Sequence, residues 1–162
     1  MVAIPVKSFA DGKQRLASAL DGQDRAGIGR ALASHVAAVV EEVGLAPMFV
    51  TGDPEVAEWA AGLGFPSIPE EGHSLDGAAG AAARWASQAT APWLILHSDL
   101  PLLTPADLQE MIGHLSSGGD VIAPSADGGT SAIGSTSEVA FAFGPGSFFR
   151  HLARLGDPRV FA

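Results

Sequence analysis

The hydrophobic positions fall into short blocks that alternate between two periods. Val2–Val6 is a continuous apolar run ending at Lys7-Ser8, which predicts a buried strand. From Asp24 to Val43, Ile28, Leu32, Val36, Val39, Val40 and Val43 recur at helical spacing, and Gly44 ends the pattern. Pro47–Thr51 predicts a second strand. Asp53-Pro54 then opens a helix, with Asp53 as N-cap and proline at the first helical position, ending near Gly62 or Gly64. Pro66–Ile68 is a short strand candidate, and the alanine-rich Gly77–Ala89 predicts a helix. Pro92–His97 is the most apolar run and suits a central strand. Thr104-Pro105-Ala106-Asp107 is a compact helix start, its helix reaching about Leu115. Asp120–Pro124 predicts another strand. A Gly/Ser-rich stretch, a strand candidate at Ala140–Phe143 and a short helix from Phe148 complete the chain.

Strands and helices alternate repeatedly before residue 120, which predicts an α/β fold: a mostly parallel sheet with helices on both faces. There is no internal repeat and no low-complexity linker, so residues 1–162 read as a single domain.

Composition narrows the partners. The 162 residues carry a formal net charge of −9, the reverse of the basic face a duplex-binding domain needs, so no nucleic-acid partner is expected. No run approaches the ~20 apolar residues of a membrane span. Val2-Ala3-Ile4 follows Met1 without a basic region, so no signal peptide is expected. Cysteine is absent, which removes disulfides, thiolate-bound zinc and thiol catalysis, and a cytoplasmic setting is expected.

Ligands of open α/β sheets bind outside the carboxyl ends of the strands, so the residues just after each strand carry the candidate chemistry. Lys7, Lys13 and Arg15 follow the first strand around Gly12 and suit a polyphosphate, although a solvated loop would look alike. Asp99 follows the central strand, where a carboxylate suits magnesium; a turn residue before Pro101 is the alternative. Asp107 is explained by the helix cap it forms with Thr104. Gly128-Gly129-Thr130-Ser131 reads as a polar turn after the Asp120–Pro124 strand. Gly144-Pro145-Gly146-Ser147 would present backbone N–H groups to an anion, with Ser147 as N-cap the plainer account. Arg150 and His151 could reach the same anion or lie on the surface. The polar loop from Glu70 to Gly77, with Ser74 and Asp76, could meet a base or ribose; Asp76 could equally be an N-cap.

Other signals are absent or unproductive. There is no Walker loop, no Gly-x-Ser-x-Gly elbow and no zinc-spaced histidine pair. Gly27-Ile28-Gly29 lies inside a helix and completes no dinucleotide fingerprint. His35 lies on an apolar helix face and reads as packed, while His114 sits near a helix end.

Taken together, three segments resemble the 2-phospho-L-lactate/phosphoenolpyruvate guanylyltransferases of coenzyme F-420 biosynthesis. They are Pro5-Val6-Lys7 with Lys13-Gln14-Arg15-Leu16-Ala17, then Asp99 through Leu108, then Phe143-Gly144-Pro145-Gly146-Ser147-Phe148 with His151. The resemblance covers nearly the whole chain, and the last segment is its most specific part. It implies a GT-A-like nucleotidyltransferase fold of the nucleotide-diphospho-sugar transferase type. It also implies transfer of GMP from GTP to a small phosphorylated acid, with release of pyrophosphate. By that resemblance Lys7, Lys13 and Asp99 are catalytic and Asp99 holds Mg2+. Lys7, Lys13, Arg15, Ser74 and Asp76 bind the nucleotide; Thr130, Ser131, Gly144, Gly146 and Ser147 bind the acid. A homodimer is compatible with it.

Three departures stand against the family pattern. Gly129-Thr130-Ser131-Ala132 replaces the usual Gly-Thr-Asn-Ala, and Leu75-Asp76-Gly77 replaces Leu-Asn-Ala. Family members also continue beyond the equivalent of Ala162 with an Asp-containing segment that would add a metal ligand. The competing readings are a related nucleotidyl- or glycosyltransferase-like enzyme with another acceptor, and a non-catalytic nucleotide-binding domain.

Overall fold

The computed structural model describes residues 1–10, 17–70, 72 and 74–161. Among them, seven strands and five helices follow one another along the chain. They are β1 (Val2–Pro5), α1 (Gly22–Glu42), β2 (Pro47–Thr51), α2 (Pro54–Gly62), β3 (Ser67–Pro69), α3 (Leu75–Gln88) and β4 (Trp93–Leu96). Then come α4 (Pro105–Ser116), β5 (Asp120–Pro124), β6 (Thr130–Ser135), α5 (Ser147–Leu152) and β7 (Pro158–Val160).

The strands make one sheet in the order β3-β2-β1-β4-β6-β5-β7. β1 pairs in parallel with β2 and β4, β2 with β3, and β5 with β7. β6 runs antiparallel to both its neighbours, so it is the reversed strand of a mostly parallel sheet. The chain steps outward from β1 through β2 to β3, then returns across to β4 on the other side of β1. That reversal of winding leaves a crevice at the carboxyl ends of β1 and β4, where ligands of such sheets bind.

Side-chain alternation splits the core in two. Val2, Ile4, Phe49, Leu94, Leu96, Val121 and Ala132 pack on one face against buried positions of α1, α2 and α4. Their neighbours Ala3, Val50, Trp93, Ile95, Ile122 and Ile133 pack on the other, against α3 and Leu155. Both faces are therefore covered, as the unbroken apolar runs predict. α3 packs on this face through five buried alanines, Ala78, Ala79, Ala82, Ala83 and Ala86. No helix among the described residues is long and apolar enough to cross a membrane.

Several local expectations hold. Asp53 caps α2 with Pro54 in its first turn, and Thr104 with Asp107 forms a reciprocal capping box on α4. His35 is partly buried, with Nε2 3.2 Å from the Leu103 carbonyl oxygen.

Others are corrected. Residues 140–143 form no strand, because their polar backbone groups are held by side chains. Ala142 N–H donates to His151 Nε2 and Phe143 N–H to Asp76 Oδ1, while Arg150 donates to the Ala142 carbonyl and Arg154 to that of Ala140. Thr130 and Ser131 begin β6 rather than forming a turn; the turn is Ser125–Gly129, closed by Gly128 N–H on the Ser125 carbonyl at 3.0 Å. β6 escapes a pattern-based reading because Thr130-Ser131-Ala132-Ile133-Gly134-Ser135 is buried on both faces and shows no alternation. Gly134 belongs there physically: a Cβ at that position would lie 2.8 Å from the Trp93 carbonyl oxygen on β4. β7, three residues long, also went unsignalled by pattern. α3 starts at Leu75 with Ser74 as N-cap, not at Gly77 with Asp76. α5 starts at Ser147, and its N-cap is Gly146 in the left-handed region at φ 68°, which leaves the Ser147 side chain for another use.

Candidate functional site

A cavity of about 300 Å³ opens at the carboxyl ends of β1, β2 and β4. β1 delivers Lys7 to it, β2 delivers Thr51 and Gly52, and β4 delivers His97 and Asp99. α3 closes it from the side with Ser74 and Leu75, and Glu70 lines it just after β3. Three segments separated by more than forty residues thus meet because parallel strands end on one edge.

Lys7 and Asp99, two of the expected charges, line this same cavity, and both are exposed. The Asp99 side chain is 45% exposed, with Oδ1 4.0 Å from His97 Nδ1. Opposite charges at one cavity wall can meet both parts of a metal-bound polyphosphate: lysine the phosphate oxygens, the carboxylate a cation. Lys13 and Arg15 lie outside the described residues. Among the described residues, no group of three or more His, Asp or Glu side chains could hold a metal ion. A single carboxylate nevertheless fits magnesium that takes its remaining ligands from water and substrate phosphates.

Ser74 lines the cavity while its hydroxyl caps α3, accepting from Gly77 N–H at 3.0 Å. Asp76 is not among the residues that line the cavity; its Oδ1 accepts from Phe143 N–H at 2.7 Å. An asparagine carbonyl would accept the same bond, so the departure from Leu-Asn-Ala preserves this tie between α3 and the segment before α5. Gly77 is explained by Glu70: a Cβ at position 77 would collide with Glu70 Oε1, which accepts from Gly72 N–H at 2.7 Å.

The expected acid-binding residues gather around the start of β6. Because β6 is reversed, its first residues lie beside the end of β4, and His97 N–H donates to the Ser131 carbonyl at 3.0 Å. Ser131 itself lines a separate cavity of about 650 Å³ with Leu96, Leu100 and Phe161. Gly144 and Gly146 are exposed, with φ of 115° and 68°. Thr130 and Ser147 are buried and 3.1 Å apart through their hydroxyls, and Thr130 Oγ1 is 2.9 Å from His151 Nδ1. Arg150 is committed to the Ala142 and Pro145 carbonyls. Rings join the two regions: His97 lies 5.5 Å from Phe143, and Phe143 lies 4.7 Å edge-on to His151. Burial pushes the His151 imidazole down to about 4, with Arg154, Arg150 and His97 pressing the same way and Asp76 opposing.

The sequence singles out neither His97 nor Thr51, and it reaches Glu70 only as the first residue of the polar loop running to Gly77. His97 had a usable signal, its place at the end of the most apolar strand. Thr51 had only its place at the end of a strand and Glu70 its place in that loop, since the sheet order is what brings both to the ends of β1 and β4.

The family model for guanylyl transferase CofC-like proteins matches residues 1–157. A 2-phospho-L-lactate guanylyltransferase of Methanothermobacter thermautotrophicus is 32% identical over 151 residues, covering 92% of this chain and 68% of its own length. A phosphoenolpyruvate guanylyltransferase of Rubrobacter xylanophilus is 36% identical over 155 residues, covering 92% and 76%. In fold, a crystal structure from Desulfovibrio desulfuricans G20 described as a nucleotide-diphospho-sugar transferase superposes with a TM-score of 0.71 at 20% identity. It covers 83% of this chain, which spans 62% of that one. A CMP:2-keto-3-deoxy-manno-octonic acid synthetase complexed with CTP gives a TM-score of 0.53 at 13% identity, covering 85% and 64%. These two likenesses concern the fold, and this chain spans less than two thirds of either.

Proposed function

Since this chain belongs to the guanylyl transferase CofC-like family, we propose that it transfers GMP from GTP to a small phosphorylated acid, 2-phospho-L-lactate or phosphoenolpyruvate. The observation that carries the reading is the single cavity lined by both Lys7 and Asp99 at the carboxyl ends of β1 and β4. A phosphate oxygen of the acid attacks the α-phosphorus of GTP. The new P–O bond forms as the bond to the β-phosphate oxygen breaks, and pyrophosphate leaves with the electron pair. This chemistry needs no covalent nucleophile; it needs alignment and neutralisation of charge.

In this reading Lys7 neutralises the phosphates from the end of β1, joined by Lys13 and Arg15, while Ser74 and the start of α3 border the nucleoside. Asp76 supports the nucleotide side indirectly, through its bond to the Phe143 backbone. Asp99 holds Mg2+, which when bound withdraws charge from the phosphates. Thr130, Ser131 and the Gly144–Ser147 segment take the acid. The protein acts in the cytoplasm.

The test is pyrophosphate release with magnesium, comparing GTP with ATP, CTP and UTP, and each acid in turn. Release confined to GTP with one of the two acids is expected. No release with any pair would leave a nucleotide-binding domain without turnover, and release with another triphosphate or acceptor would move the chain to a different transferase activity.

A further inference from the structure

Proton counting fixes the direction of the buried hydrogen-bond chain beside the site. His151, Thr130 and Ser147 are 0%, 1% and 1% exposed. Ala142 N–H donates to His151 Nε2 at 2.9 Å, so that nitrogen carries no proton. A neutral imidazole has one N–H. It therefore lies on Nδ1 and donates to Thr130 Oγ1, 2.9 Å away. The Thr130 and Ser147 hydroxyls then share one O–H···O bond across 3.1 Å. Two hydroxyl protons serve one bond, and among the described residues neither hydroxyl has a further acceptor. One donor is left over.

A buried donor without an acceptor is costly, whereas an apolar pair of the same shape would cost little. A fold that needed only packing here has no use for this arrangement. We propose that His151 is a positioning residue for the acid: its Nδ1–H orients the Thr130–Ser147 pair so that the surplus hydroxyl proton meets an anionic oxygen of the acceptor. The inference rests on the proposed function for the identity of that anion. Its placement at the start of β6, beside the end of β4 that carries His97, comes from the topology.

The experiment combines wild-type 15N NMR of the imidazole with kinetics of His151→Phe and His151→Asn. The NMR spectrum is expected to show Nδ1 protonated and Nε2 bare; a proton on Nε2 overturns the proposal whether or not the variants fold. His151→Phe is expected to raise the acid KM about tenfold, the value of one lost hydrogen bond, with the GTP KM within about twofold. His151→Asn, whose amide can donate to Thr130, is expected to recover most of that loss. Equal losses in both variants, or equal effects on both KM values, overturn it. Should the wild type release no pyrophosphate with either acid, the functional reading fails separately. Inorganic phosphate then decides: a shift of the His151 resonances that Ser147→Ala removes supports the anion contact, and no shift refutes it.

Discussion

Asp99 and His151 show two ways a polar side chain is used, and their environments separate their expected mutational behaviour. Asp99 is 45% exposed at the cavity wall, so Asp99→Asn removes charge at nearly constant shape. Pyrophosphate release is expected to fall at least about a hundredfold, the scale of losing an electrostatic contact to the reacting phosphates, with Tm changed by no more than about 2 °C. A large fall in Tm would instead make Asp99 a turn residue. His151 is buried and its imidazole is pushed down to about 4. The unfolded chain takes up that proton from about pH 6.5 downward while the native state does not. The histidine's contribution is therefore fully present above about pH 6.5 and is lost as pH falls towards 4. Thermal melts over that range should show a shallower acid slope in His151→Asn than in wild type. An unchanged slope would mean that this histidine is not the buried neutral group described.

Among the elements, α4 and β6 illustrate local and non-local specification. The Thr104–Asp107 box satisfies α4's first turn through Asp107 N–H on Thr104 Oγ1 at 3.2 Å and Thr104 N–H on Asp107 Oδ2 at 3.0 Å. Thr104→Ala should cost about 1 kcal/mol, read as a Tm lower by about 2–4 °C. Its signature is written in four consecutive residues. β6 has no such signature, and its central Gly134 makes sense only against Trp93 on the neighbouring strand. Gly134→Ala should cost about 1–3 kcal/mol through overpacking, checked by denaturant unfolding. Tolerance of alanine there would show that β4 and β6 are further apart than described. The segment before α5 is the complementary case. Phe141 and Phe143 look like strand residues in sequence, yet Asp76, Arg150, His151 and Arg154 supply the hydrogen bonds that a ladder would otherwise give.

For the whole molecule, the proposed activity asks a chain of net charge −9 to bind an anionic nucleotide, which only local charge placement can make favourable. Binding to the native state alone links ligand to stability: GTP with magnesium at about a hundred times Kd should add about 2.7 kcal/mol. Scanning calorimetry should show that gain, and it should shrink in Lys7→Ala. An equal gain from GTP in that variant would remove Lys7 from the nucleotide site.

The sequence by itself determined the alternation of elements, the two-sided burial of the sheet, and the caps at Asp53 and Thr104. These follow from periodicity and from bonds within a few residues. It also placed Lys7 and Asp99 after strands, because a polar residue ending an apolar run is visible locally. Only the tertiary structure decided that β6 runs backwards, that Glu70 and His97 share a cavity with Lys7, and that Asp76 holds Phe143 rather than capping α3. It alone brought Thr130 to both Ser147 and His151. Each of those contacts joins groups distant along the chain, and their energies depend on strand order and direction, which hydrophobic pattern does not encode.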